Sequence, residues 1–307
     1  MRALLIVNPG AGGTAPRVRE VLAGALGSIL KLDVATSARR GHAIDLAHQA
    51  AVDGLDAVVA LGGDGTVNEV VNGLLSDGPA AVRPALAVVP VGSTNIFARV
   101  LGLPRDPVEA TGEILTAIRA GRSRLVGLGR LDERWFTCCA GIGFDAEIVR
   151  RVERRRRHGD RASGPAYVRS ASAQFVTAMR RQDRPLTLYR PGADPVTGLF
   201  AAFVANAAPW SFLGSRSVNL CPQASFDTGL DLVALSRMGL FSMLRSVRQM
   251  LTTDAGPRGR GVLAWHDESD LAVAGDRPLA VQVDGEYLGE RESIRLRAVP
   301  RALRVIC

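Results

Sequence analysis

Residues 61–75 read LGGDGTVNEVVNGLL and set Gly62, Gly63 and Gly65 around one carboxylate, Asp64, at the start of an amphipathic run. Thr66 and Glu69 have the spacing of a capping box. Val67, Val70, Val71, Leu74 and Leu75 form one apolar stripe, so the pattern predicts a helix near 66–76 that begins beside Thr66. The unpaired N–H groups and dipole of such a helix end favour an anion. A carboxylate there repels phosphate unless a divalent cation or water stands between them, which makes Asp64 a magnesium-side residue. Two further stretches combine glycines with small polar residues in the same way, Asn8-Pro9-Gly10-Ala11-Gly12-Gly13 after the apolar run ALLIV and Val91-Gly92-Ser93-Thr94-Asn95 after ALAVVP. Glycines let backbone approach a ligand closely while N–H groups and hydroxyls point at it, and such surfaces suit phosphate. A plain strand-to-helix turn, with Asp64 or Thr66 as its cap, uses the same residues.

The elements that hold these loops follow from periodicity. Over the first 125 or so residues short apolar runs at 3–7, 32–36, 57–61 and 85–90 alternate with helical patterns near 16–30, 41–53 and 66–76, which predicts a doubly wound parallel α/β sheet. Ligands of such sheets sit outside the carboxyl ends of the strands, where all three loops fall. From about Trp135 the segments turn β-rich, as in RWFTCCAGIG, GLFAAFVANA and PLAVQVDGEYLG, and predict an antiparallel β-sandwich interrupted by one helical insert, 145–181. The expected fold class is therefore α/β plus β, with domains 1–125 and 126–307, a final strand that returns to the first domain, and a cleft where the domains join.

Composition narrows the chemistry. The 307 residues are 47% apolar and carry a formal charge of +8, which points to an anionic partner: nucleic acid, an acidic membrane surface or a phosphorylated small molecule. The least charged stretch, 199–213, is broken by Asn206, Pro209 and Ser211 and is too short to span a bilayer, and the N-terminal apolar run reads as a strand rather than a secretion signal, so a cytoplasmic location is expected. Cys138, Cys139, Cys221 and Cys307 contain no C-x-x-C pair, and His42, His48, His158 and His266 have no mutual metal spacing. These read as buried or indifferent thiols and surface or loop imidazoles. Arg150, Arg151 and Arg154 to Arg157 crowd two turns of a helix, either as an electrostatic dock for an anionic leaflet or as a solvated face paired with Glu147 and Glu153. No aromatic residues alternate with these arginines to stack on bases, which argues against nucleic acid. There is no G-x-x-x-x-G-K-[ST], and the G-x-G-x-x-A at Gly10–Ala15 is interrupted from its strand by Asn8-Pro9, so a dehydrogenase ranks low. Trp210 and Phe212 either border a lipid pocket or belong to the core.

NPGAGG, GGDGTVNEVVNGL at 62–74, PVGSTNIFARVLGLP at 90–104 and VDGE at 283–286 together resemble the diacylglycerol kinase catalytic-domain family, and more narrowly the bacterial lipid kinases related to sphingosine kinases. The resemblance runs through essentially the whole chain; Gly-Gly-Asp-Gly-Thr alone is shared with NAD kinases, and STNIFAR and VDGE favour a lipid kinase. It implies an ATP-binding α/β domain, a β-sandwich that holds a diacylglycerol-like lipid, and magnesium. Asn8, Pro9, Gly10, Gly12, Thr36, Gly62 to Thr66, Asn68, Glu69 and Gly92 to Asn95 would contact the nucleotide. Glu286 would accept the hydroxyl proton and Asp64 would act with magnesium, or Asp64 would itself be the base. VDGE is also the commonest hairpin-turn signal. Two departures stand out: Ile96 replaces an aspartate after Asn95, and Asp227-Thr228-Gly229 replaces the Asp-Asp-Gly of a structural magnesium loop whose carbonyl ligands would be Ser225 and Leu230. The expected enzyme docks peripherally on the inner face of the membrane, with a homodimer left open; an NAD kinase and a non-catalytic lipid- or nucleotide-binding protein are its rivals.

Overall fold

The computed structural model describes residues 1–10, 16–79, 84–157, 184–237, 239–252 and 256–307, and the side chains of Arg156 and Arg157 lie outside that description. Two compact units divide the chain: Met1–Leu128 with Pro300–Cys307, and Gly129–Val299.

In unit 1, strands β1 (Arg2–Val7), β2 (Lys31–Thr36), β3 (Ala57–Gly62) and β4 (Ala85–Pro90) alternate with helices α1 (Pro16–Gly27), α2 (His42–Val52), α3 (Asp64–Leu74), α4 (Ile96–Val100) and α5 (Pro107–Arg119). The strands are parallel in the order β2-β1-β3-β4. β3 and β4 are buried along their whole length, as parallel strands covered on both faces must be. Alternate residues serve opposite layers. Leu5, Val59 and Leu61 pack with Leu22 and Leu26 of α1 and Ile114 of α5, while α2 and α3 pack on the other face. The doubly wound sheet expected from the sequence is therefore present.

α3 departs from expectation at its start. It begins at Asp64 with Gly63 as a cap that contributes no side-chain bond. The Thr66–Glu69 capping box does not form. The Glu69 carboxylate instead accepts the N–H groups of Gly41 (2.9 Å) and Ala43 (3.2 Å), satisfying the open end of α2, whose own cap residue is a glycine.

Unit 2 is antiparallel. Its path is β14 (Val262–Glu268), β13 (Leu230–Leu235), β10 (Ala201–Ala205), β7 (Cys139–Gly143), β15 (Asp270–Val283) and β16 (Glu286–Val305), with β6 (Arg134–Phe136), β8 (Leu186–Tyr189) and β9 (Val196–Leu199) attached beside it; β5 (Arg124–Leu131) starts in unit 1 and pairs with β6 from Gly129 on. β15 changes register between Ala274 and Leu279; its first half pairs with β8 and its second with β7, yet Leu271, Val273, Val281 and Val283 all enter one apolar core. A two-stranded hairpin, β11 (Ser211–Leu213) and β12 (Arg216–Val218), stands apart from this sheet. Beyond Val299, β16 joins unit 1, where Val305 pairs parallel with Leu86 of β4.

The expected helical insert is present as α6 (Phe144–Arg157); the rest of it, 158–181, and His158 lie outside the described residues. A second helix in this half, α7 (Leu240–Thr252), was not expected. Among the described residues no helix is long and apolar enough to cross a membrane. Cys138, Cys139 and Cys221 are buried. His266 is more than a surface imidazole: its Nδ1 lies 2.6 Å from the buried Asp231 carboxylate.

Candidate active site

At the carboxyl ends of β1, β3 and β4 the three loops are laced together. Asn8 donates from Nδ2 to Thr66 Oγ1 at 2.8 Å, and its Oδ1 accepts the Gly10 N–H at 2.9 Å. Asp64 Oδ1 accepts the Phe97 N–H at 3.1 Å, so the carboxylate caps α4, not its own helix. Asn95, in the left-handed region at φ 51°, closes Gly92–Asn95 into a ring: its Oδ1 accepts the Gly92 N–H (2.9 Å) and its Nδ2 donates to the Gly92 carbonyl (2.8 Å). Asn is one of the few residues that tolerate this backbone. Asn68 is buried within α3 and accepts from the Asn72 amide; Ser93 and Thr36 are exposed at the ends of their loop and strand. Pro9 accepts from the Arg19 guanidinium through its carbonyl. Gly12 lies outside the described residues.

The glycines divide into two kinds. A Cβ on Gly62 would sit 2.4 Å from Thr66, and one on Gly92 would sit 2.7 Å from both Gly63 Cα and Asn95 Oδ1. Gly92 lets the loops after β3 and β4 touch, and Gly62 leaves room for the Thr66 side chain against the end of β3. Gly65 differs, since a Cβ there meets nothing within 4 Å. Of the GGDG glycines, it is the one that leaves open space beside the first turn of α3, with Asp64 next to it, and an anion has room there. Arg99 of α4 adds positive charge that the sequence did not single out. Its pKa is lowered by burial and by neighbouring Arg105, with Asp64 opposing.

In unit 2, Asp284 (φ 46°) and Gly285 (φ 80°) make a two-residue turn with both residues at positive φ, as the hairpin signal predicts, and Glu286 opens β16 opposite Val283. The turn is locked from beneath. Asp284 accepts four hydrogen bonds, from the N–H and hydroxyl of Thr137 and the N–H groups of Cys138 and Cys139, at 2.7 to 3.0 Å. Glu286 is not an exposed turn residue; it is about four-fifths buried and its Oε2 meets the Arg134 guanidinium at 3.2 Å. Gln282 donates to the buried Asp145 carboxylate at 2.6 Å and accepts the Gly285 N–H at 2.9 Å, tying the first turn of α6 to the turn that presents Glu286. Burial pushes the Asp145 carboxyl up to about 6, the Gln282 bond partly opposing. Arg134, Asp145 and Gln282 were missed in the sequence because their partners lie more than a hundred residues away.

The two expected metal positions differ in fit. Magnesium binds through one or two carboxylates plus substrate phosphates, and Asp64 at the mouth of α3 suits that chemistry. The Asp227 loop does not. The Ser225 carbonyl already accepts both the N–H (3.2 Å) and the hydroxyl (3.1 Å) of Thr228, and Gly229 N–H is taken by Asp267 at 2.6 Å. Both lone pairs of the ligand carbonyl are thus in use. Leu230 opens β13 opposite Glu268, and among the described residues no group of three or more His, Cys, Asp or Glu is arranged to hold a metal. Of the Arg-rich run, Arg150 is engaged by Glu147 and Glu290 and lies over the Tyr287 ring.

Comparison with known proteins adds a lineage to this geometry. Residues 2–131 match the family described as the diacylglycerol kinase catalytic domain. A diacylglycerol kinase of Bacillus subtilis (strain 168) is 38% identical over 305 residues, covering 94% of this chain and 90% of its own. A probable lipid kinase, YegS-like, of Chromohalobacter salexigens is 29% identical over 97% of this chain and 91% of its own. The crystal structure of a diacylglycerol kinase from Bacillus anthracis str. Sterne shares the fold, with TM-score 0.72 at 19% identity, over 99% of this chain and 96% of that one.

Proposed function

Since this chain belongs to the diacylglycerol kinase family, we propose that it is a lipid kinase that moves the γ-phosphoryl group of ATP, with magnesium, to the hydroxyl of diacylglycerol or a similar neutral lipid alcohol, giving phosphatidic acid or its analogue. The observation that carries the reading is the lacing of the three loops at adjoining parallel strand ends, with open space left at Gly65 beside Asp64. Asn8 to Gly10, Thr36, Gly62 to Glu69 and Gly92 to Asn95 form the nucleotide side in this proposal. Asp64 would hold magnesium, which when bound would supply positive charge against the phosphate oxygens.

Phosphoryl transfer asks little covalent work of protein; it asks for positioning, cations and a proton acceptor. The N–H groups at the start of α3 and the Arg99 guanidinium favour the phosphates. Glu286 takes the hydroxyl proton, and Arg134 fixes its rotamer. In the alternative assignment Asp64 is the base. Thr228, by occupying the Ser225 carbonyl, keeps the Asp227 loop in shape without a cation. The enzyme works in the cytoplasm, peripherally at an anionic leaflet.

The test incubates purified protein with γ-labelled ATP, magnesium and mixed micelles holding diacylglycerol, monoacylglycerol, sphingosine or ceramide, with NAD as a soluble acceptor in a parallel tube. Label in one lipid, lost by at least roughly a hundredfold in Asp64→Asn and Glu286→Gln, is expected. Label in NAD, or ATP binding with no transfer to any acceptor, overturns the lipid-kinase assignment.

A further inference from the structure

α7 is turned the wrong way for a helix on a soluble surface. Its inner side rests on unit 2 through the buried Ser246 and through Met250, which packs beside Leu220, Cys221 and Val233, while the Met250 carbonyl accepts the Asn219 N–H at 2.8 Å. Facing outward are Leu240 (52% exposed), Phe241 (88%), Leu244 (58%) and Val247 (42%). Leu240, Leu244, Val247 and the half-exposed Leu251 follow i, i+4, i+7, i+11 spacing, one continuous ridge, with Phe241 at its flank. An outward apolar ridge of this kind marks an interaction surface, not a solvent face.

The charge around the ridge names the partner. Arg245 and Arg248 are exposed along its edge, and α7 contains no acidic residue. The loop after the helix folds back on it: Arg258 N–H donates to Gln249 Oε1 at 3.0 Å, and the Arg245 guanidinium lies against Gly259, between exposed Arg258 and Arg260. Over 236–261 the sequence holds five arginines and one acid. Among the described residues none of Arg245, Arg248 or Arg260 is paired with a carboxylate. The neighbouring β11–β12 hairpin, which packs on α7 through β12, adds exposed Leu213 and Arg216 at its turn. Exposed apolar side chains rimmed by unpaired cations match a boundary whose interior is hydrocarbon and whose headgroups are negative. A nucleic acid has no use for the leucines, and a second copy of this face would set arginines against arginines.

We propose that the outward face of α7, extended by the β11–β12 turn, is the surface on which this chain docks to an anionic phospholipid bilayer. The proposal rests on the lipid-kinase reading only in that such an enzyme must reach a substrate held in a membrane.

Co-sedimentation without ATP tests it, using vesicles of phosphatidylcholine alone and vesicles of phosphatidylcholine with phosphatidylglycerol. Wild type is expected to partition onto the anionic vesicles and to release as salt is raised. Phe241→Ser with Leu244→Ser lowers that partition by roughly tenfold or more, and Arg245→Gln with Arg248→Gln by a similar factor at low salt. These side chains are exposed, so melting temperatures stay at the wild-type value, and so does turnover of a water-soluble short-chain diacylglycerol. A Phe241→Trp variant shows blue-shifted emission on anionic vesicles. Wild-type partition in both double variants, or no shift in Phe241→Trp, overturns the proposal whatever the kinase assay reports. A change of oligomeric state in the variants with vesicle binding intact overturns it in favour of a self-association face. Docking through α7 with no label in any lipid leaves this inference standing and removes the lipid-kinase reading.

Discussion

Asp64 and Glu286 are held in opposite ways. Around Asp64 the structure relies on the absence of side chains: Gly63 and Gly92 let loops from β3 and β4 touch backbone to backbone, Gly62 leaves room for the Thr66 side chain, and the carboxylate is steadied by the Phe97 N–H. Around Glu286 it relies on their presence: the Asp284 carboxylate gathers four donors, Gln282 bridges Asp145 to the turn, and Arg134 pairs with Glu286 itself. Close packing of backbone tolerates no added atom, whereas a polar network tolerates no missing one. The two halves of the chain should therefore fail under opposite kinds of substitution.

The sharpest trial of this contrast is Asp284→Ala. Thr137, Cys138 and Cys139 are buried, and their donors would be left without an acceptor, so a loss of about 3–5 kcal/mol of unfolding free energy is expected in urea titrations, together with loss of transfer activity. A loss under about 1 kcal/mol would show that water replaces the carboxylate and would break the comparison. Next in size is Asp145→Asn. Burial lifts the folded-state carboxyl above its unfolded value of 3.8 to about 6, so between those values the folded chain keeps a proton that the unfolded chain has released. The stability from this group is full below about pH 4, falls as pH rises through the window and is gone above about 6. The amide removes that slope and gains about 2–3 kcal/mol at neutral pH, which denaturant midpoints measured at successive pH values would read. An unchanged slope would mean that Asp145 titrates normally.

In unit 1 the added-atom test is Gly92→Ala, whose Cβ meets backbone of Gly63 at 2.7 Å. About 1–3 kcal/mol of destabilisation is expected, with a higher KM for ATP because the two loops must part. Gly65→Ala is its companion and the smallest effect: with nothing within 4 Å of the new Cβ, the melting temperature stays within a degree or so while ATP binding weakens. Equal stability losses for the two alanines would erase the distinction between packing glycines and an open one.

Much of unit 1 was legible because its determinants are local. Fully buried parallel strands read as short apolar runs, helices between them show a 3.6-residue stripe, and the glycine loops mark the strand ends. The Asp284-Gly285 turn was legible for the same reason. What escaped were long-range pairings. Glu69 carries a local capping pattern yet serves a different helix, since Gly41 offers α2 no side-chain cap and the half-buried Glu69 carboxylate nearby satisfies those N–H groups better than it would its own helix end. Arg134 gives no local sign of its partner 152 residues on. α7 was hidden by its own inversion: its apolar residues face water, and the strand segments punctuated by turns on either side of it dominate the local pattern.

The last strand has a consequence for synthesis. β16 begins at Glu286 in unit 2 and ends in unit 1, where Val305 pairs with Leu86 and the Ile306 N–H bonds the Leu86 carbonyl at 2.8 Å. While a ribosome is still making unit 2, β4 is therefore a bare edge of an otherwise finished parallel sheet, the template on which strands of neighbouring nascent chains aggregate. The chain gains its closing strand only after Glu286 has emerged, so a molecule with a complete unit 1 sheet is also one that already carries its proposed proton acceptor.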